Sequence, residues 1–298
     1  MSLDFSRYLV IGISSRALFD LRRENEIFEN DGLKAYSEYQ IEKENEILNP
    51  GLGFSLVSGI LRLNNLTKGK RKTEVIIMSR NNPDTILRIS NSIEHYKLDI
   101  TRAALTSGQP LTPYLKAFNV DLFLSADEGD VQDAINNGIA AGLLYESDAS
   151  FNASTLKQIR IAFDGDAVLF SDESERIYKN HGLEAFLDHE RENATKPLPK
   201  GPFAKLLKTL AFLQKDFGHN GENPIRTALV TARNFGAHER VIRTLRHWGI
   251  RIDEAFFLGG VNKEEILKAF GAHIFFDDQE VHLSKDVPSF KVPYENRV

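Results

Sequence analysis

The sequence predicts an α/β protein made of two Rossmann-like halves, each with its own parallel sheet. Three observations carry that expectation. Short apolar runs alternate with amphipathic stretches of helical length along the chain, the pattern of strands and crossover helices that cover both faces of a sheet. The chain also repeats itself at a spacing of about 150 residues, which points to internal duplication. In the second half, acidic residues follow two of the apolar runs, at the carboxyl ends of strands where open α/β sheets gather their ligands.

The apolar runs of the second half are Ile159 to Phe163, Thr227 to Thr231, Ala255 to Leu258 and Ile274 to Phe276. Each is too short for a helix and is bounded by turn-forming or charged residues, so each reads as a strand. Helical patterns lie between them: Phe203 to Leu213 with Pro202 suited to a first turn, His238 to Trp248 ended by Gly249, and Lys263 to Phe270 ended by Gly271.

The first half carries matching segments. IGISSRALFDLRRENEIFENDGLKAYSEYQ, starting at Ile11, runs parallel to IAFDGDAVLFSDESERIYKNHGLEAFLDHE, starting at Ile161, with one gap. The segments around VIIMSR and ALVTAR also align, His95 on His247 and Ala103 on Ala255, followed by LKAF at Leu115 and at Leu267. The polar segment Glu146 to Ser154 is the expected boundary, giving halves 1–150 and 151–298.

The stretch 171–223 reads as a small helical cap insert in the second half. Ile177, Tyr178, Leu183, Phe186 and Leu187 recur at helical spacing there, as a stripe buried against Leu206, Leu207 and Leu210 would.

Composition narrows the function. Of 298 residues, 42% are apolar and 27% charged, with a formal net charge of -5; the basic footprint of a partner for nucleic acid polymers is missing. There is no cysteine, hence no disulfide framework, thiolate metal site or cysteine nucleophile. The start, MSLDFSRYLVIGIS, is apolar too briefly for a secretory signal or a membrane span, so a cytoplasmic protein without a membrane partner is expected. The histidines lack zinc-site spacing and no P-loop pattern occurs. A closed symmetric homo-oligomer is the default expectation for a soluble chain.

The residues at the ends of the second-half strands form a coherent set: Asp164 and Asp166 after the first, Thr231 at the second, Lys263 beyond the third, Asp277 and Asp278 at the fourth. Converging carboxylates repel one another unless a hard divalent cation sits among them, and Mg²⁺ takes such oxygen ligands while keeping waters for a phosphate. A hydroxyl and an ammonium add donors for phosphoryl oxygens. This is a constellation for phosphoryl transfer, in which one aspartate attacks phosphorus and the other reaches the leaving oxygen. Taken singly, Thr231 reads equally as a helix cap, Lys263 as a solvated charge and the acidic pair as another cap; their order along the chain sets the functional reading above these.

That order resembles the haloacid dehalogenase superfamily of phosphatases, and FDGDAVLFSDESE with LVTARN and HIFFDDQ is similar to the cytosolic 5′-nucleotidase I family. The resemblance implies Mg²⁺-dependent hydrolysis of nucleoside 5′-monophosphates such as AMP through an aspartyl-phosphate. It implies Asp164 as nucleophile and metal ligand, and Asp166 as general acid and then base, ligating the metal through its carbonyl. Thr231 and Lys263 would hold the phosphoryl group, with Asp277 and Asp278 completing the metal site. The same chemistry on another small phosphomonoester, such as a sugar phosphate, and a nucleotide-binding regulatory protein with vestigial turnover are the alternatives.

Arg233 and Asn234, just after Thr231, are placed to bind substrate, with Arg233 pairing to a core carboxylate as the other reading. Phe170 and Phe235 are candidates for base stacking, and Lys196 or Lys200 for drawing in phosphate, with an ordinary exposed lysine as the equal reading.

In the repeat, Asp164 is expected to fall on Ile13, Asp166 on Ser15, Lys263 on Leu111 and the acidic pair on Ser125-Ala126, while Thr231 survives as Ser79. The first half is therefore expected to be catalytically dead, a packing partner that completes the second half's sheet or covers its mouth. A sharper expectation is a site for a phosphate-containing effector formed by Ser14, Ser15, Arg16, Ser79, Arg80 and the turn Ser107-Gly108. Nucleotide activation, implied by the family resemblance, fits such a site.

Overall fold

The structure, a computed structural model, describes residues 4–67, 71–145, 156–217 and 223–293, so the expected boundary at Glu146 to Ser154 lies outside the described residues. In the first half β1 (Leu9–Ile13), β2 (Thr73–Ser79), β3 (Arg102–Leu105), β4 (Leu122–Ser125) and β5 (Ala140–Leu144) form the strands. The second half contributes β6 (Ile159–Phe163), β7 (Ile225–Thr231), β8 (Glu254–Phe257), β9 (Ile274–Asp277) and β10 (Ser289–Lys291).

The described strands form one mostly parallel sheet of ten, ordered β3-β2-β1-β4-β5-β10-β9-β6-β7-β8. The expectation of a separate sheet in each half is therefore corrected. A five-stranded half would leave β5 and β10 as open edges, which are liabilities for uncontrolled pairing. They pair with each other instead, antiparallel, with Phe290 opposite Leu144 and Lys291 opposite Leu143. Strands are parallel within each half, so this antiparallel seam points the carboxyl ends of the two halves in opposite directions. The first half completes the sheet of the second; it does not cover its mouth.

The central strands are buried along their length, as in LVIGI of β1 and TEVIIMS of β2, because helices cover both faces. These are α1 (Ser15–Leu18), α2 (Arg22–Glu42), α3 (Phe54–Arg62), α4 (Leu87–His95), α5 (Thr112–Ala117) and α6 (Glu128–Asn136) in the first half. In the second half they are α7 (Glu173–Glu192), α8 (Ala204–Phe217), α9 (His238–His247) and α10 (Lys263–Phe270).

The halves pack reciprocally. A side chain at Gly59 of α3 would meet Ile159 of β6 at 3.3 Å, while α8 lies against β1. Lys72 pairs with Asp216 at 2.5 Å, and buried Asp121, 2% exposed, accepts from the Val10 amide at 3.0 Å and from Thr209 of α8 at 3.2 Å.

The segment read as a cap insert holds α7 and α8. The first half has the same pair in α2 and α3, and both long helices break at a glycine with φ 81° and ψ -178°, Gly32 and Gly182. That left-handed conformation favours glycine, and it is why the expected continuous stripe on α7 does not form. Phe186 is buried, but Tyr178 and Leu183, on either side of the break, are each 52% exposed.

Candidate active site

The site is built at the carboxyl end of β6. Asp164 leaves the strand with its amide bonded to the Phe276 carbonyl of β9 at 2.8 Å, and its side chain is 5% exposed. The chain then makes a π turn over Gly165–Leu169, closed by the Phe170 amide on the Gly165 carbonyl at 2.9 Å, with Ala167 at φ 61°. A single π turn carries one residue more than an α turn, and such insertions are frequent at functional sites. Here the longer loop contains Asp166. Gly165 lets Thr231 come close: a Cβ there would stand 3.2 Å from the threonine hydroxyl oxygen.

Lys263, the first residue of α10, is 2% exposed and reaches Asp164 Oδ1 at 2.5 Å and Asp277 Oδ2 at 2.6 Å. Asp277 Oδ1 accepts from the Gln279 amide at 2.8 Å. Desolvation works against the lysine's charge, but the two carboxylates outweigh it and hold the ammonium well above its ordinary pKa.

Carboxylate oxygens of Asp164, Asp277 and Asp278 lie within 4.8 Å of one another. Burial pushes the carboxyls of Asp164 and Asp278 above the usual carboxylate range; Lys263 opposes this at Asp164, and the surrounding acids reinforce it at Asp278. Asp278 Oδ1 is buried without a hydrogen-bond partner, so the cluster retains an unused oxygen of the kind a hard cation takes. The donor set fits Mg²⁺.

Asp166 sits differently. Arg233 donates to both of its oxygens, Nε to Oδ2 at 2.8 Å and Nη2 to Oδ1 at 2.7 Å. The same guanidinium reaches Glu190 at 2.5 Å, and Glu190 also accepts from Arg240 at 2.9 Å and Ser174 at 2.8 Å. Arg240 extends the chain to Glu173 at 3.2 Å. Two buried arginines are thus satisfied by carboxylates of α7 and the π turn, the form in which buried charge is tolerated.

The structure brings together Asp164, Lys263, Asp277 and Asp278 and sets Thr231 beside Gly165. It joins Asp166 to Arg233, so Arg233 takes the core-pairing reading and, 5% exposed, has its guanidinium committed to carboxylates. Asn234 holds a buried Oδ1 without a hydrogen-bond partner, while Phe235 is 69% exposed and stacked on His238. Phe170 is fully buried against Trp248 and cannot stack on a base; its backbone bridges Lys200. Lys196 and Lys200 are exposed, and Lys196 offers its carbonyl to Arg240.

Glu190, Arg240 and Ser174 escaped the sequence reading. One signal was available for Arg240: its counterpart Arg88 is also a buried arginine, bonded to Glu24 at 2.6 Å.

The geometry also corrects the repeat. Ser14 and Asp164 hold the same place: each follows its strand, and their amides bond the Leu124 and Phe276 carbonyls, both at residues before the β4 and β9 termini. Asp164 therefore corresponds to Ser14, not Ile13. Ser15 corresponds to Gly165, since Phe19 closes on Ser15 as Phe170 closes on Gly165, and Asp166 lies in the longer turn opposite Arg16. The one-residue insertion within the turn displaced the sequence match.

The chain matches the 5′-nucleotidase family model over residues 1–297. It is 42% identical over 284 residues to human cytosolic 5′-nucleotidase 1B, an alignment that covers 92% of this chain and 46% of that protein. The chain spans about half the length of this curated relative. With a family match that runs through both halves and includes every residue of the acidic cluster, the chain belongs to the 5′-nucleotidase family.

Proposed function

We propose that this chain is a Mg²⁺-dependent 5′-nucleotidase that hydrolyses nucleoside 5′-monophosphates of the AMP type through an aspartyl-phosphate on Asp164. The carrying observation is the buried cluster of Asp164, Asp277 and Asp278 clamped by Lys263. Asp164, Asp277 and Asp278, with the Asp166 carbonyl, would hold the metal, which when bound supplies positive charge against the phosphoryl oxygens.

In this reading one oxygen of Asp164 attacks phosphorus as the bond to the 5′-oxygen breaks, and Lys263 orients that carboxylate and offsets charge on the transferring group. The Thr231 hydroxyl, whose oxygen accepts from the Arg233 amide at 3.3 Å, keeps its own hydrogen for a phosphoryl oxygen. Asp166 gives the leaving oxygen its proton and later takes one from water. Because both of its oxygens lie on Arg233, Asp166 must slide one of them off the guanidinium to act.

Asn234, with its unpartnered oxygen, is the proposed polar contact to the nucleoside. Tyr178 and Leu183, exposed beside the break in α7, are the proposed apolar contact to the base. In the same reading the halves descend from one duplicated unit, α7 caps the mouth, and the protein works in the cytosol, as the name of its human relative says of that protein. Among the described residues no helix is long and apolar enough to cross a membrane.

A phosphate-release screen over nucleoside monophosphates and sugar phosphates, with Mg²⁺ and with EDTA, tests the reading. Mg²⁺-dependent release confined to nucleotides supports it. Preference for sugar phosphates, or uniformly slow release, overturns it.

A further inference from the structure

The first half has a cavity at the carboxyl ends of β1, β2 and β4, the place that the acidic cluster occupies in the second half. Its volume is about 550 Å³, within the range of small-molecule sites. Where the second half has Asp164, Thr231 and Asp277, this cavity has Ser14, Ser79 and Ser125. Among the described residues no group of metal-ligating side chains occurs there.

The serines are set as donors. Ser14 Oγ accepts the Ala17 amide at 3.2 Å, Ser79 Oγ the Asn81 amide at 3.2 Å and Ser125 Oγ the Asp127 amide at 3.1 Å. With the backbone filling an acceptor site on each oxygen, the Ser14 and Ser125 hydroxyl hydrogens remain to be donated, and Ser79 Oγ, 3.5 Å from Ser15 Oγ, can donate outward when Ser15 donates to it; Ser79 and Ser125 are 5% and 1% exposed. Arg16 lines the same cavity and makes no ion pair among the described residues, whereas Arg80 is committed to Asp130 at 2.7 Å. Three hydroxyl donors and an unpaired guanidinium suit a phosphoryl group.

The other side of the cavity is apolar. Phe28 and Leu33 flank the break in α2 at Gly32 and are 47% and 61% exposed, and Phe28 meets Tyr36 edge-on with ring centroids 6.0 Å apart. An aromatic wall facing a phosphoryl pocket across one cavity fits a base joined to a phosphate through a sugar.

We infer that the first half binds a nucleoside phosphate without a metal and without hydrolysing it, phosphate on Ser14, Ser79, Ser125 and Arg16, base against Phe28. Retention of the ligand follows from the same residues: no carboxylate stands where Asp164 stands, so there is no attacking oxygen. This inference stands apart from the hydrolase reading, because it concerns a different cavity and different residues.

The test is isothermal titration of the full chain in EDTA with AMP, adenosine and inorganic phosphate as separate probes. In EDTA the second half lacks the cation its acidic cluster would need for a phosphate dianion, and the first-half substitutions below locate the heat from AMP. AMP is expected to bind with a stoichiometry of one, more tightly than adenosine or phosphate. Asp164→Asn should retain that binding, and exposed Arg16→Glu and Phe28→Ala should each weaken it by at least about tenfold. Lack of binding by AMP in EDTA, affinity for phosphate equal to that for AMP, or binding indifferent to both first-half substitutions would overturn the inference. Phosphate release in Mg²⁺, measured in parallel, reports the hydrolase reading independently.

Discussion

In the first half the amides of Asn81 and Asp127 are accepted by the hydroxyls of Ser79 and Ser125. In the second half the equivalent amides, of Arg233 and Gln279, are accepted by Thr231 and Asp277. At these two strand ends the backbone pattern is shared, and only the chemistry hung on it differs. The turn after the first strand shows the same contrast: Ser14-Ser15-Arg16 in an α turn, Asp164-Gly165-Asp166 in a π turn one residue longer. The fold supplies oriented acceptors at strand ends in both halves. Whether such a place attracts a cation or an anion is decided by which acceptors are carboxylates.

The supports differ in step. The first half holds Arg88 with Glu24, and Gln40 stands 3.4 Å away. The second half has Arg240 in the same role, with Ser174 and Glu190 in place of Glu24 and Gln40, and the additional pair Arg233 and Asp166. Asp166, next to the acidic cluster, is held by a cation, Arg233, and that cation in turn by a second carboxylate, Glu190.

The largest effect is expected at Asp164. Asp164→Asn removes the attacking oxygen, and we expect phosphate release to fall by on the order of 10⁴-fold or more, measured with excess Mg²⁺ to separate loss of the nucleophile from weakened metal binding. Lys263→Met leaves buried carboxylates uncompensated, a change that costs about 3–5 kcal/mol. The melting temperature should drop sharply in EDTA and recover in part with Mg²⁺, since a ligand of the native state stabilises it. Recovery by Mg²⁺ distinguishes a shared cation site from simple misfolding.

Arg233→Lys keeps the charge and loses the bidentate grip on Asp166. We expect kcat to fall by about 10²-fold, within the range for general acid–base groups, while KM changes little. Glu190→Gln makes the second half resemble the first at this position and removes one of the two carboxylates on Arg233. A destabilisation of about 1–3 kcal/mol by urea denaturation is expected, with a smaller loss of kcat than Arg233→Lys gives.

The smallest effect is on pH dependence. Burial raises the carboxyls of Asp164 and Asp278 above their unfolded values, so the metal-free folded state binds protons more tightly than the unfolded one. The stability this confers is present at low pH and is lost as pH rises from the ordinary carboxylate range through the raised values. In EDTA the melting temperature should therefore decline on going from pH 5 to pH 8 relative to Asp278→Asn, and the stabilisation by Mg²⁺ should grow over the same interval.

Much of this was legible in sequence because strands in a buried parallel sheet are short apolar runs and the acidic residues follow them directly. The grouping of Asp164, Lys263, Asp277 and Asp278 followed from their order at strand ends alone. The single sheet was not legible: the β5–β10 seam depends on three residues, Ser289–Lys291, too few to show a period. Nor was the register of the repeat at Asp164, because an inserted residue inside a turn leaves the hydrophobic pattern on both sides unchanged. Phe170 was misread since a phenylalanine beside an active site looks the same in sequence whether it faces ligand or core. Arg240 and Glu190, far apart in sequence, meet only through the way α7 crosses α9, and no local pattern encodes that meeting.

The second half alone is expected to carry the attacking carboxylate. Acid-quenched reaction of Asp166→Asn with a nucleoside monophosphate bearing radiolabelled phosphate, followed by peptide mapping, tests it directly, because slowing the second step should leave phosphate on the protein. The label is expected on the peptide that contains Asp164, in Mg²⁺ and not in EDTA. Label on a first-half peptide, or turnover by Asp164→Asn at the wild-type rate, would contradict it.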